Sequence, residues 1–264
     1  MKMLLCAVAL AALPTCATSA HETPDPTIVH NARDGVVRLY GAGGPDTALR
    51  KVAAVFHQET GIDVVITAGP EPTWSKHAQA DADIVWGTSE EEITALLETY
   101  KDFASSDVMP VYLRPAIIAV KKGNPKHIAG FDDLLKDGMR VVVTEGAGVA
   151  NTSGTGVWED VAGRLGHLSD MATLRRHIIA FGKGSGASYK AFVEQDADAW
   201  ITWPDWPITH ADKADLVPLA PSRTIWRDLN LVMAPDADPQ AHRFIAFLMS
   251  ARGAAIMQTE GWTR

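Results

Sequence analysis

Three glycine-rich stretches, each between a strand-like and a helix-like run, carry the densest chemistry in the sequence. In Gly41-Ala42-Gly43-Gly44-Pro45-Asp46-Thr47, the free amides of a helix start, reinforced by the helix dipole, suit a carboxylate or phosphate. Gly43 and Gly44 let such a ligand approach the backbone, and a plain tight turn is the competing reading. The dinucleotide fingerprint G-x-G-x-x-G breaks at its last position, where Asp46 stands. The longest stretch, residues 145–158, offers the hydroxyls of Thr152, Ser153 and Thr155 around Gly154. A nucleotide-hydrolysing phosphate loop needs a lysine before its hydroxyl residue, and none is there. Passive capture of an anion fits better than hydrolysis. Asn151-Thr152-Ser153 also matches a glycosylation sequon, a coincidence if the loop lines a cleft. Residues 182–188 repeat the pattern with Ser185 and Gly186.

The charge for an anion site would come from Arg114 and Arg227, which sit in or beside strand-like runs where a buried guanidinium needs a partner. A bound anion is one such partner and a structural Asp or Glu is the other, and the sequence leaves both open. Trp74, Trp86, Trp200, Trp203, Trp206 and Trp226 suggest an aromatic cage for quaternary ammonium, although core packing is the simpler use. Against that cage, Arg227 is expected to carry much of a preference for anions, because a free guanidinium repels a cation. Thr73 and Trp74, Thr88 and Ser89, and the run from Trp203 through Asp205 to Trp206 lie at or just past strand carboxyl ends, where open α/β sheets place ligands. The nine histidines show no metal-ligand spacing and no Ser–His–acid set stands out, so no metal, cofactor or catalytic triad is expected.

Positioning these residues takes a scaffold with several strand ends. Strand-like runs at 36–40, 62–68, 83–86, 116–120, 140–144, 178–181 and 198–203 alternate with helical patterns, the signature of parallel sheets covered by helices. Leu49, Val52, Ala53 and Phe56 share one helical face, with Pro45 suited to the first turn and Gly61 to the end. Ser89 with Glu92 three residues on reads as a capping box, and Asp238-Pro239 opens a late helix. No internal repeat is visible. The predicted fold class is α/β with two lobes, the first made of 21–113 and 222–264 and the second of 114–221, joined by crossover strands at 109–120 and 223–235. Residues 21–34 read as a loose lead-in.

Lys2, the apolar run 3–13, and Thr18 and Ala20 ahead of His21 read as a cleavable export signal over 1–20, which predicts a periplasmic protein. Pro14 and Thr15 spoil a lipoprotein box before Cys16. Cys6 and Cys16 are the only cysteines and both fall in this leader, which removes thiol chemistry from the mature chain. The roughly 240 residues left can bury an adequate core without disulfides. A net charge of -8 argues against nucleic acid as a partner, so any anion site must be local.

The chain resembles the accessory colonization factor family, which includes the major antigenic peptide adhesins and belongs to the molybdate-binding-like superfamily. The resemblance runs through Leu39 to Pro45, Gly69-Pro70 with Thr73-Trp74, Asp81 to Ile84, the block from Glu145-Gly146-Ala147-Gly148 through Asn151 to Asp160, Ala197 to Trp203 with Asp205-Trp206, Arg114, Arg227, Asn230 and Gly261-Trp262. It implies a type II periplasmic-binding fold, a homodimer in at least some members, and ligands such as citrate or phosphoglycerate held between lobes. It implies no catalysis. Lys183-Gly184 and Pro204 depart from the family pattern beside the expected cleft. The function expected is capture of a small organic anion for an ABC permease. An adhesin with a vestigial site, a carrier of a molybdate- or sulfate-like oxyanion, and a phosphatase are the alternatives, the last without a nucleophile-and-base pair.

Overall fold

The computed structural model describes residues 22–100, 102–145 and 156–264. The predicted leader and the sequence-selected Thr152, Ser153, Gly154 and Thr155 therefore lie outside the described residues. In chain order the elements are β1 (Val37–Gly41), α1 (Asp46–Thr60), β2 (Val64–Ala68), α2 (Ser75–Asp81), β3 (Ile84–Gly87), α3 (Glu90–Thr99), β4 (Met109–Pro115) and β5 (Ile117–Lys121). They continue with β6 (Val141–Thr144), α4 (Val157–Gly163), α5 (Leu168–His177), β7 (Ile178–Gly182), α6 (Ser185–Glu194), β8 (Ala199–Thr202), α7 (Asp205–Thr209) and β9 (Ala214–Pro218). The chain ends with β10 (Trp226–Met233), α8 (Pro239–Leu248) and α9 (Ala251–Thr259). Helix α1 shows why the pattern was readable. Leu49, Val52, Ala53 and Phe56 are its buried face, and Gly61 closes it in the left-handed conformation at φ 72°.

Two five-stranded sheets result, ordered β2-β1-β3-β10-β4 and β7-β6-β8-β5-β9. Each has three parallel strands in the order second, first, third, followed by an antiparallel pairing. The sequence shows no repeat, yet the architecture repeats, down to one carboxylate before each third parallel strand. Asp83 accepts from the Arg38 amide at 2.7 Å, and Asp198 accepts from the Arg140 amide at 3.0 Å. Asp83 also accepts from the Asp238 amide at 2.6 Å, tying the start of α8 to the first sheet. Each sheet has its own apolar core.

Both predicted crossover strands are shorter than the sequence suggested. The run 109–120 breaks at Ala116, so β4 belongs to the first sheet and β5 to the second. The Ala116 amide bonds the Ile225 carbonyl at 2.7 Å, where the returning chain passes. Arg223 is not part of β10. It is buried in the second unit, donating to the Val161 and Ala162 carbonyls at 3.2 Å and to Asp170, with its guanidinium 4.1 Å above the Phe131 ring.

The lead-in is not loose. The Asp25 amide donates to Gln79 Oε1 at 2.7 Å, the Asn31 amide to the Ala80 carbonyl at 2.8 Å, and Ala32 is fully buried. Its attachment is by hydrogen bonds rather than an apolar stripe, which is why periodicity gave no sign of it. Strand β9 was missed for a related reason: it is a short edge strand of mixed polarity, with Leu216 exposed and Pro218 at its end. No helix among the described residues is long and apolar enough to cross a membrane.

Candidate ligand-binding site

Strand β4 carries Arg114 into the junction between the two sheets, where it is 1 % exposed. The Trp203 ring, from the second sheet's β8 end, covers one face of the guanidinium at 4.7 Å, and the Trp262 ring, from the C-terminal tail, lies at 4.6 Å. The aromatic pair that might have caged a ligand cation thus already holds the protein's own. Nη1 donates to Asp205 Oδ1 at 2.7 Å. Nε and Nη2 are buried and have no partner among the described residues. Nη2 lies against Gly44, where a Cβ would come within 2.7 Å of it. Gly44 belongs to the loop that opens α1, so the unpaired edge of Arg114 meets the amide-rich start of a 15-residue helix. Among the described residues, the indole Nε1 groups of Trp203 and Trp262 are also buried and unpaired, as is Asn230 Nδ2 on β10. These unmatched groups are all donors, and their natural complement is an acceptor-rich anion.

The C-terminal tail completes this junction. Thr263 pairs with Leu113 through both backbone bonds, at 2.7 and 2.8 Å, which sets Trp262 beside Arg114. Gly261, at φ 85°, packs so tightly on Pro204 that a Cβ would fall 2.4 Å from the proline's own. Burial raises the Asp205 carboxyl above its ordinary range and lowers the Arg114 guanidinium, and the bond between the two opposes both shifts.

Thr88 and Ser89 follow β3 at the start of α3. Ser89 Oγ accepts from the Glu92 amide at 3.1 Å, the first half of the predicted capping box. The second half differs: Glu92 Oε2 accepts from the Thr88 amide at 2.6 Å and the Thr88 hydroxyl at 2.7 Å instead of reaching Ser89. Glu92 is buried, and burial pushes its carboxyl up to about 7 against the Thr88 bonds and the nearby charge of Arg114. Sequence reasoning gave Glu92 only a capping role and Trp262 only a place in the family resemblance; their proximity to Arg114 is a tertiary fact.

The other selected residues are dispersed. The Thr73 hydroxyl bonds the Pro70 carbonyl at 2.7 Å, and Trp74 is in the first core, stacked on Tyr100 with Nε1 on the Gly69 carbonyl. Gly43 is exposed, Ser185 is half-buried at the start of α6, and Gly186 is exposed on that helix. Arg227 is the direct cross-strand partner of Arg114, so both side chains leave the same face of the sheet. It has a protein partner, Asp160 Oδ2 of α4, at 2.8 Å. A groove of about 690 Å³ lies beside this pair, walled by α4 and the chain at 224–227.

The model of the family described as bacterial extracellular solute-binding protein matches residues 37–263. The chain belongs to this solute-binding family. Among solved structures, it is 41 % identical to PEB3 with L-phospholactate bound, covering 86 % of this chain and 99 % of that one, at a TM-score of 0.81. Peb3 from Campylobacter jejuni gives 40 % identity over the same shares at 0.80. The molybdate-binding protein of Azotobacter vinelandii, at 17 % identity, 86 % and 99 % coverage and a TM-score of 0.63, shares the fold. None of the curated proteins matches the chain. The type II periplasmic-binding architecture and the family resemblance read from the sequence are both upheld.

Proposed function

We propose that this solute-binding protein captures a small organic anion, a carboxylated or phosphorylated acid of three to six carbons, and delivers it to an ABC permease from the periplasm. The observation that carries the reading is the buried Arg114 edge, whose Nε and Nη2 lack partners beside Gly44 at the start of α1. A guanidinium edge of this kind matches two oxygens of a carboxylate or phosphate. Support comes from the L-phospholactate held by the 41 %-identical PEB3 structure. In this reading, residues 21–113 with 222–264 form one lobe and 114–221 the other, the chain crossing at Ala116 and again near Ile225. Ligand draws the lobes together, and the closed form is what the permease meets. The stretch around Thr152, Ser153, Gly154 and Thr155 adds hydroxyls from the second lobe.

Calorimetric titration with L-phospholactate, citrate, sulfate and choline tests this. At least one anion should bind saturably and choline should not. Replacing Thr152 and Ser153 together by Ala should weaken the anion by about 2 to 4 kcal/mol with the fold intact. Choline binding with all three anions silent would refute the proposal.

A further inference from the structure

Arg114 is shared between two buried carboxylates. Asp205 touches it at 2.7 Å. Glu92, 5 % exposed on α3, bonds Thr88 just past β3, the neighbour of β1, whose following loop sets Gly44 against Arg114 Nη2, and its charge acts on the guanidinium. Among the described residues, Arg114 is the cation that acts on Glu92. Glu71, in the short turn at 71–73, also acts on Glu92 but has an interaction of its own, so it is left out of the balance. Helix α3 packs on β3, which carries no ionisable group, and on β10, whose Asp228 is drawn against Glu90. Arg227 of β10 is paired with Asp160. Glu260 acts on Asp205 from the far side but has Lys51 as its own partner.

An anion placed on the free edge of Arg114 would add a negative charge to a site where carboxylates already outnumber the guanidinium. In a water-poor junction that repulsion is poorly screened, and a carboxyl escapes it by binding a proton. We infer that the site takes up one proton from solvent together with its anion, and that Glu92 is the group that receives it. This deepens the anion-site reading above and rests on it. Asp205 is the poorer acceptor because its charge is fixed by direct contact with Arg114. Among the described residues Glu92 has the Thr88 amide and hydroxyl for hydrogen-bond partners, and burial has already brought it to about 7, so a modest push protonates it near neutral pH. Glu92 is thus a positioning residue for charge: it sets how tightly Arg114 holds an anion without needing to touch the ligand.

Below about pH 6 Glu92 is protonated with or without ligand and adds no pH dependence of its own; above about pH 7 its ionisation lowers affinity by close to tenfold per pH unit. The test is titration of the wild type with L-phospholactate at about pH 8, where a phosphate monoester is fully ionised. Repeating it in buffers of different ionisation heat gives the number of protons exchanged. About one proton taken up is expected. Glu92→Gln should abolish the uptake and tighten binding at that pH at least about tenfold, while matching the wild type near pH 6. Binding by the wild type with no proton exchanged, or uptake that persists in Glu92→Gln, overturns the inference and leaves the anion site standing. No saturable heat with L-phospholactate, citrate or sulfate defeats both.

Discussion

Removing a guanidinium from water requires compensation on every side, and Arg114 finds it in residues far apart in sequence: Trp203, Asp205 and Trp262. Asp205 supplies the only direct countercharge among the described residues. Asp205→Asn leaves the buried charge without it and should cost about 3 kcal/mol of stability, measurable by urea denaturation. A loss under about 1 kcal/mol would mean that the pair behaves like an exposed one. The sequence marked both arginines and gave Arg227 much of the anion preference. The structure pairs Arg227 with Asp160, both partly exposed, and leaves an edge of Arg114 unpaired among the described residues, so the expectation moves to Arg114. No local pattern could announce this, because each arginine's partner comes from a different element of the other sheet. Gly44 was legible because a glycine between strand and helix has few uses; Glu92 was not, because a glutamate three residues past a serine is fully explained by capping.

At the scale of elements, strands and helices with a clean apolar period were readable, and those held by hydrogen bonds were not. The lead-in packed through Gln79 and the edge strand β9 both illustrate the second case. The carboxylates that tie elements together make the fold sensitive to pH. Burial pushes Asp83 up to about 6 and Glu92 to about 7, ahead of the opposing bonds from Arg38 and Asp238 to the first and from Thr88 to the second. Each group therefore binds its proton more tightly in the folded chain than in the unfolded one. The stability this contributes is fully present below the ordinary carboxyl range and is lost as pH rises through about 6 for Asp83 and about 7 for Glu92. The ligand-free protein should lose about 2 to 3 kcal/mol per group across that window, seen as a melting temperature that falls between about pH 4 and pH 7 and levels off above. Glu92→Gln should flatten the upper part of the fall. A melting temperature that rises over the same range would contradict the assignment.

The whole molecule is two similarly ordered sheets joined by a chain that crosses at Ala116 and returns at Ile225, with the C-terminal tail laid across the junction. The alternation of strands and helices made the two-sheet plan legible; the tail's role was hidden because Gly261 and Trp262 meet Pro204 and Arg114, which are distant in sequence. Gly261→Ala combines a left-handed φ with a 2.4 Å clash against Pro204. It should destabilise the protein by about 1 to 3 kcal/mol and weaken anion binding, because Trp262 is displaced from the guanidinium. Unchanged affinity and stability would detach the tail from the site. The claim on which the rest depends is that the unpaired edge of Arg114 holds the anion. Calorimetry with L-phospholactate on the wild type, Arg114→Gln and Arg227→Gln tests it most directly. We expect Arg114→Gln to lose at least about thirtyfold in affinity, the worth of a charge-assisted hydrogen bond of about 2 kcal/mol, and Arg227→Gln to lose less than about fivefold. The reverse order, with Arg114→Gln binding as tightly as the wild type, would contradict the account.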